Sequence, residues 1–121
     1  MCIRDRGNPE RVEKLMKIDE LHVAMFAYLL GKLQDTPDGD GTLLDHSLVV
    51  FGSSLSESNI HTHHDLPIVL AGNANGQVKG NRHLVHPKET PLNNLFLSTF
   101  DLAGVPHVAG FGDSTGRLGN L

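Results

Sequence analysis

The densest group of side chains able to do chemistry is the run Ser53-Ser54-Leu55-Ser56-Glu57-Ser58-Asn59-Ile60-His61-Thr62-His63-His64-Asp65. Within it, His61, His63 and Asp65 combine borderline-soft imidazole nitrogens with a hard carboxylate, a donor set suited to zinc or another divalent first-row metal. The same residue types have a second use. Imidazoles and hydroxyls in a long irregular loop can satisfy its backbone groups. No fixed spacing rule for a metal site is met, so both readings stand. A serine nucleophile is a poor fit: in Gly52-Ser53-Ser54-Leu55-Ser56, Ser56 occupies the place of the second glycine of G-x-S-x-G, and no helix follows. The Gly110–Gly116 stretch has neither dinucleotide-fingerprint spacing nor a P-loop lysine and reads as a turn-rich tail. Thr36–Gly41 resembles a calcium loop only superficially, because Ser47 falls where a bidentate Glu is required.

The elements that position this loop follow from periodicity and punctuation. Asn8-Pro9-Glu10 predicts a helix start, with Asn as N-cap and Pro at the first helical position. Val12, Leu15, Met16, Val23, Phe26, Leu29, Leu30 and Leu33 then recur at three- and four-residue steps, predicting an amphipathic helix to about Gln34 with this stripe in the core. Thr36-Pro37-Asp38-Gly39-Asp40-Gly41 ends it as a turn. Ser47–Gly52 and Leu66–Gly72 predict two buried strands on either side of the polar loop. Turn signals at Asn73–Gly76 and Gly80-Asn81 flank Gln77–Lys79 and His83–Val85, which predicts a small hairpin. Thr90-Pro91 opens a second helix that Gly104 closes. The order helix, strand, loop, strand, hairpin, helix gives an α/β class, and the loop lies at a strand's carboxyl end, where open α/β sheets bind ligands.

Composition narrows the function classes. Of 121 residues, 39% are hydrophobic, 5% aromatic and 20% charged, with 10 Lys+Arg against 14 Asp+Glu and a net charge of -4. A phosphate-tracking surface needs clustered Lys and Arg, so nucleic acid is disfavoured as a partner. The longest apolar run, Val23–Leu30, is far below a membrane span. A single Cys excludes a disulfide framework within the chain and thiolate-rich metal sites. The opening Met1-Cys2-Ile3-Arg4-Asp5 back-translates as ATG-TGT-ATA-AGA-GAC and resembles a sequencing-library transposase adapter read in frame. Residues 1–6 are therefore expected to be an artefact, and residues 7–121 a C-terminal fragment of a larger α/β domain.

Several ordered blocks carry a resemblance: Asn8-Pro9-Glu10 with Lys17-Ile18-Asp19, Asp40–Ser47, Asn59-Ile60-His61-Thr62-His63, Leu66–Gly72, Pro87–Leu95 and Gly112–Gly116. Together they resemble the C-terminal part of a bacterial family of unknown function named for an HXXSHH motif. That family is similar to the alkaline-phosphatase and sulfatase superfamily. The resemblance implies a partial alkaline-phosphatase-like sandwich, metal ions at strand ends, and an exported protein, periplasmic or secreted, with a twin-arginine leader. His61 and His63 match the family's His-x-His block, while His64 stands where the family often has Asp. The SHH of the naming motif is expected just before Gly7. A His pair there and the His61/His63 loop would face one another at one sheet edge, with Asp65 or Glu57 as the accompanying carboxylate. The implied activity is metal-dependent hydrolysis of a small anionic phosphate or sulfate ester. Ser53-Ser54, however, stands where active superfamily members carry an Asp-His metal pair, which favours a non-catalytic binding or structural protein on the same fold.

Overall fold

The computed structural model describes residues 8–105 and 107–121; the segment 1–6 expected to derive from an adapter, with Cys2, lies outside the described residues. The protein is mixed helix and strand in the order α1 (Pro9–Asp35), β1 (Pro37–Asp38), β2 (Gly41–Thr42), β3 (Val49–Gly52), β4 (Ile68–Ala71) and α2 (Leu92–Leu102). The strands form two separate antiparallel pairs, β1 with β2 and β3 with β4.

α1 starts as its sequence predicts. The Asn8 side chain accepts from the amides of Glu10 and Arg11 at 3.0 and 3.3 Å, satisfying two donors that have no partner within the helix. Its C-terminus is held by the β1–β2 hairpin, where Leu43 N donates to Thr36 O and Leu44 N to Leu33 O. The turn-rich segment after α1 is thus a hairpin in its own right. One face of α1 meets β3 through Phe26, whose ring stacks on Phe51 with centroids 4.6 Å apart and planes 14° apart. Phe26, Leu30 and Leu33 are partly covered along this face. Val12 and Leu15 are also partly covered, but Met16, Val23 and Leu29 remain 58%, 55% and 45% exposed, and no α1 residue is fully buried. The helical period is correct, but the described chain has too little sheet to cover its width.

β3 and β4 pair in the register Val49↔Ala71, Val50↔Leu70, Phe51↔Val69 and Gly52↔Ile68. They were expected as two buried strands. Instead Val50 and Val69 are 38% and 48% exposed: directly paired residues share a face, so Val69 lies beside Phe51 on one face and Val50 beside Leu70 on the other, and each face is left partly open.

The hairpin expected over residues 77–85 is absent among the described strands. Consecutive turns replace it: Val78 N donates to Asn73 O at 2.9 Å, and Gly76 N to Asn73 Oδ1 at 2.9 Å. These bonds curl the chain so that Val78 is buried. Three residues per arm make too short a ladder to compete with that burial.

α2 ends as predicted, with Gly104 at φ +72° and its amide donating to Asp101 O. Most of the buried side chains lie on this helix: Asn94, Leu95, Leu97 and Ser98, joined by Ala74 and Val78. Among the described residues no helix is long and apolar enough to cross a membrane.

Candidate functional site

The polar loop leaves β3 at Ser53 and returns to β4 at Pro67, and Ser53 N donates to Pro67 O across its neck. Inside it, residues 57–62 form a tight turn closed by an antiparallel bridge between Glu57 and Thr62. Ser56 N donates to Thr62 O at 3.0 Å, Thr62 N to Glu57 O at 3.2 Å, and the two hydroxyls of Ser56 and Thr62 lie 2.8 Å apart. The Glu57 carboxylate accepts from the amides of Asn59 and Ile60 at 2.8 and 2.7 Å. Both its oxygens are therefore committed to the turn. Ser53 Oγ accepts from Leu55 N at 3.2 Å.

The three predicted ligands are distributed around this turn. His61 is half-buried and left-handed at φ 57°, and Asp65 is exposed and left-handed at φ 52°. His63 is exposed, with Nδ1 2.9 Å from the Ser54 carbonyl oxygen. A carbonyl only accepts, so Nδ1 carries the proton and Nε2 is left as the acceptor nitrogen. His64 points elsewhere, Nδ1 3.6 Å from Glu89 Oε1. Among the described residues no three His, Cys, Asp or Glu side chains are placed to hold a metal ion together.

A second polar cluster, which the sequence reading did not single out, lies at the β1–β2 hairpin. An open cavity of about 380 Å³ is lined by Asp40, Gly41, Asp45, His46, Asn73, Asn75 and Gly76. Asp45 is its fixed point. Oδ2 accepts from Thr42 N and Thr42 Oγ1 at 3.0 and 2.7 Å, and Oδ1 accepts from Asn73 Nδ2 at 3.2 Å. The Thr42 hydroxyl and amide hold the Asp45 carboxyl below the ordinary carboxylate range. His46 sits between Asp38 and Asp40, with Nδ1 2.9 Å from Asp38 Oδ2 and Nε2 3.3 Å from Asp40 Oδ1. The hydrogen bond to Asp38 raises its pKa above the ordinary histidine value, against a smaller opposing effect of desolvation. The signal for this cluster was a histidine shortly after two aspartates in a turn-rich segment. Only the pairing of β1 with β2 brings these residues together.

The Gly-rich tail is turn-rich, as read from the sequence, and it is docked onto α2. Asn94 Oδ1 accepts from Thr115 N and Gly116 N at 2.8 and 3.3 Å, while its Nδ2 donates to Thr115 Oγ1 at 3.1 Å. Ser98 Oγ accepts from Leu118 N at 2.8 Å. Arg117 grips Asp101 through Nε and Nη2 and also donates to Val108 O. That guanidinium holds the Asp101 carboxyl below the ordinary range. Gly112 is left-handed at φ 54°, and a β-carbon there would run into the Asn93 amide. The tail is therefore strapped across α2. Compared with known proteins, the chain matches no protein-family model, no curated protein and no solved structure.

Proposed function

We propose that this chain is a non-catalytic binding or structural part of an exported, alkaline-phosphatase-like α/β protein. The observation that carries this reading is the use made of the loop between β3 and β4. Ser53, Ser56, Glu57 and His63 all hydrogen-bond to the loop's own backbone, the second of the two uses that their residue types allow. Ser53-Ser54 likewise stands where hydrolytic relatives of the resembled superfamily carry a metal-binding pair. The test is turnover of generic phosphate and sulfate esters, such as p-nitrophenyl phosphate and p-nitrophenyl sulfate, with zinc and then with chelator. The expected result is no chelator-sensitive hydrolysis. Turnover that chelator abolishes and zinc restores would overturn the reading.

One observation favours a second reading, a metal-dependent phosphate- or sulfate-ester hydrolase in which His61 and His63 contribute to a divalent-metal site. The Ser54 carbonyl fixes His63 with its proton on Nδ1, the tautomer that a metal-ligating imidazole takes when a carbonyl holds its other nitrogen. At least one further ligand would have to come from outside the described residues. Zinc supplied there would polarise the ester oxygen. Calorimetric zinc titration separates the readings: stoichiometric binding weakened by both His61→Ala and His63→Ala supports the hydrolase, and unchanged heats in the two variants reject it.

A further inference from the structure

His46 touches two carboxylates at once, Asp38 through Nδ1 at 2.9 Å and Asp40 through Nε2 at 3.3 Å, with its ring 26% exposed. A neutral imidazole has one N–H and one lone pair, so it serves only one of these acceptors and sets its lone pair against the other. The imidazolium donates to both. We propose that Asp38, His46 and Asp40 form a proton-operated clasp that closes the β1–β2 hairpin beside the polar cavity and releases its Asp40 arm when the ring loses its proton.

The two arms differ in what else holds them. Asp38 lies in β1, paired with Gly41 of β2, and makes the shorter contact. Asp40 lies at the tip of the hairpin with its side chain fully exposed, so it is the arm that swings away. The third charged group acting on the ring is Asp45, of the same sign as the other two and held in place by Thr42 and Asn73. Across the cavity, Asn73, Asn75 and Gly76 add no charge. Among the described residues, every charge facing the ring therefore favours the proton. Because the folded-state pKa of His46 is raised, the clasp is fully closed below the ordinary histidine value of about 6.5 and is lost as pH rises through the folded value. The consequence reaches beyond the hairpin. The Asp45 carbonyl accepts Asn75 N at 2.8 Å, and Leu44 N reaches the last turns of α1 at Leu33 O, so the clasp sits where three segments meet.

The test is a proton-titration series read by imidazole NMR and by hydrogen exchange of amides 38–42. In the unaltered chain, hairpin protection is expected to fall about two- to tenfold as His46 deprotonates, after correction for intrinsic base catalysis. Asp38→Asn and Asp40→Asn should each bring the His46 titration down, the first more than the second. His46→Gln should make protection independent of pH between about 5 and 8, the range in which histidine titrates. Asp40→Asn alters only a fully exposed side chain, so it remains informative if Asp38→Asn weakens the fold. An unchanged His46 titration in Asp40→Asn, or protection that follows intrinsic catalysis alone, would overturn the clasp.

Discussion

In the α1–β3–β4 region a helix of 27 residues stacks Phe26 on Phe51 of its sheet, and none of its residues is fully buried. In the region of α2 and the tail, a helix of 11 residues carries buried Asn94, Leu95, Leu97 and Ser98. Length does not explain the contrast, since α1 has the longer apolar stripe; composition explains part of it, since Asp101 is the one charged residue of α2 while charges recur along α1. What also differs is the chain that comes back. After α2 the Gly-rich tail returns across the helix and offers backbone amides to Asn94 and Ser98, while Phe111 packs edge-on against Phe96 and Phe100 with centroids 6.5 and 5.3 Å away. After α1 the chain returns as a two-residue-per-strand hairpin and a two-stranded ladder, which cover one side of the helix only. Each large apolar side chain left in water forgoes about 1.5–3 kcal/mol of burial. The same physics therefore stabilises the shorter helix more.

The sharpest way to break this comparison is to truncate one apolar side chain in each region. Leu97 is 1% exposed, and Leu97→Ala is expected to cost about 2–5 kcal/mol through lost transfer energy and an unfilled cavity. Val23→Ala, at a position 55% exposed, should change stability by less than about 0.5 kcal/mol. Denaturant unfolding of the two variants measures both. Equal losses would show that something covers α1 in solution and would remove the contrast.

The next effect is expected from Asn94, whose amide bonds to Thr115 and Gly116 from a buried position. Asn94→Ala leaves two tail amides without their acceptor and should cost about 1–3 kcal/mol. The loss should be localised. Exchange of the Thr115 and Gly116 amides should accelerate before that of α1, and uniform acceleration would mean that the two regions unfold as one unit.

How much of this was legible in the sequence depends on how far apart the partners lie. α1 begins at Asn8 and Pro9 and ends before Pro37 because caps and breakers act within a few residues. The strands at 49–52 and 68–71 and the closure of α2 at Gly104 were legible for the same reason. The docking of the tail was not, since Asn94 and Thr115 are 21 residues apart and nothing local in either announces the bond. The expected hairpin failed on the same ground: turn signals at Asn73–Gly76 were correct, but the burial of Val78 decided what followed them. At the candidate site the polar loop itself was legible, while the commitment of Glu57 to the amides of Asn59 and Ile60 and the meeting of His46 with Asp38 and Asp40 required the folded backbone.

A smaller effect, and one that carries a sign, comes from the Arg117–Asp101 pair that ties the tail to α2. Its members are 39% and 40% exposed, so solvent screens it more than the Asn94 bonds. Because the folded-state pKa of Asp101 is lowered, its contribution is present above the unfolded carboxylate value of about 3.9 and is lost as pH falls through the lower folded value. Asp101→Asn should therefore be less stable than the unaltered chain at neutral pH, and the difference should begin to shrink below about pH 4 and close only as pH passes below the folded value. Thermal unfolding of both chains in steps from pH 7 downward measures it, and a gap that does not shrink below about pH 4 would assign the loss to packing rather than charge.

The smallest effect is expected where α1 looks best supplied with ion pairs. Lys14 reaches Glu10 at 2.8 Å and Lys17 reaches Glu13 at 2.6 Å, both across one helical turn. All four side chains are mostly exposed, and such pairs contribute about 0.3–0.5 kcal/mol at low salt and less as ions screen them. Glu13→Gln should shift stability by no more than this, with the difference vanishing in about 1 M salt. Arg117–Asp101 is also a surface pair, but it closes a loop between residues 16 apart, so its removal frees a segment rather than one side chain. Salt titration of Glu13→Gln beside Asp101→Asn isolates that difference. If both variants lose their deficit at the same salt concentration and to the same extent, the span of an ion pair along the chain does not set its worth here, and the contrast between the regions reduces to their apolar burial.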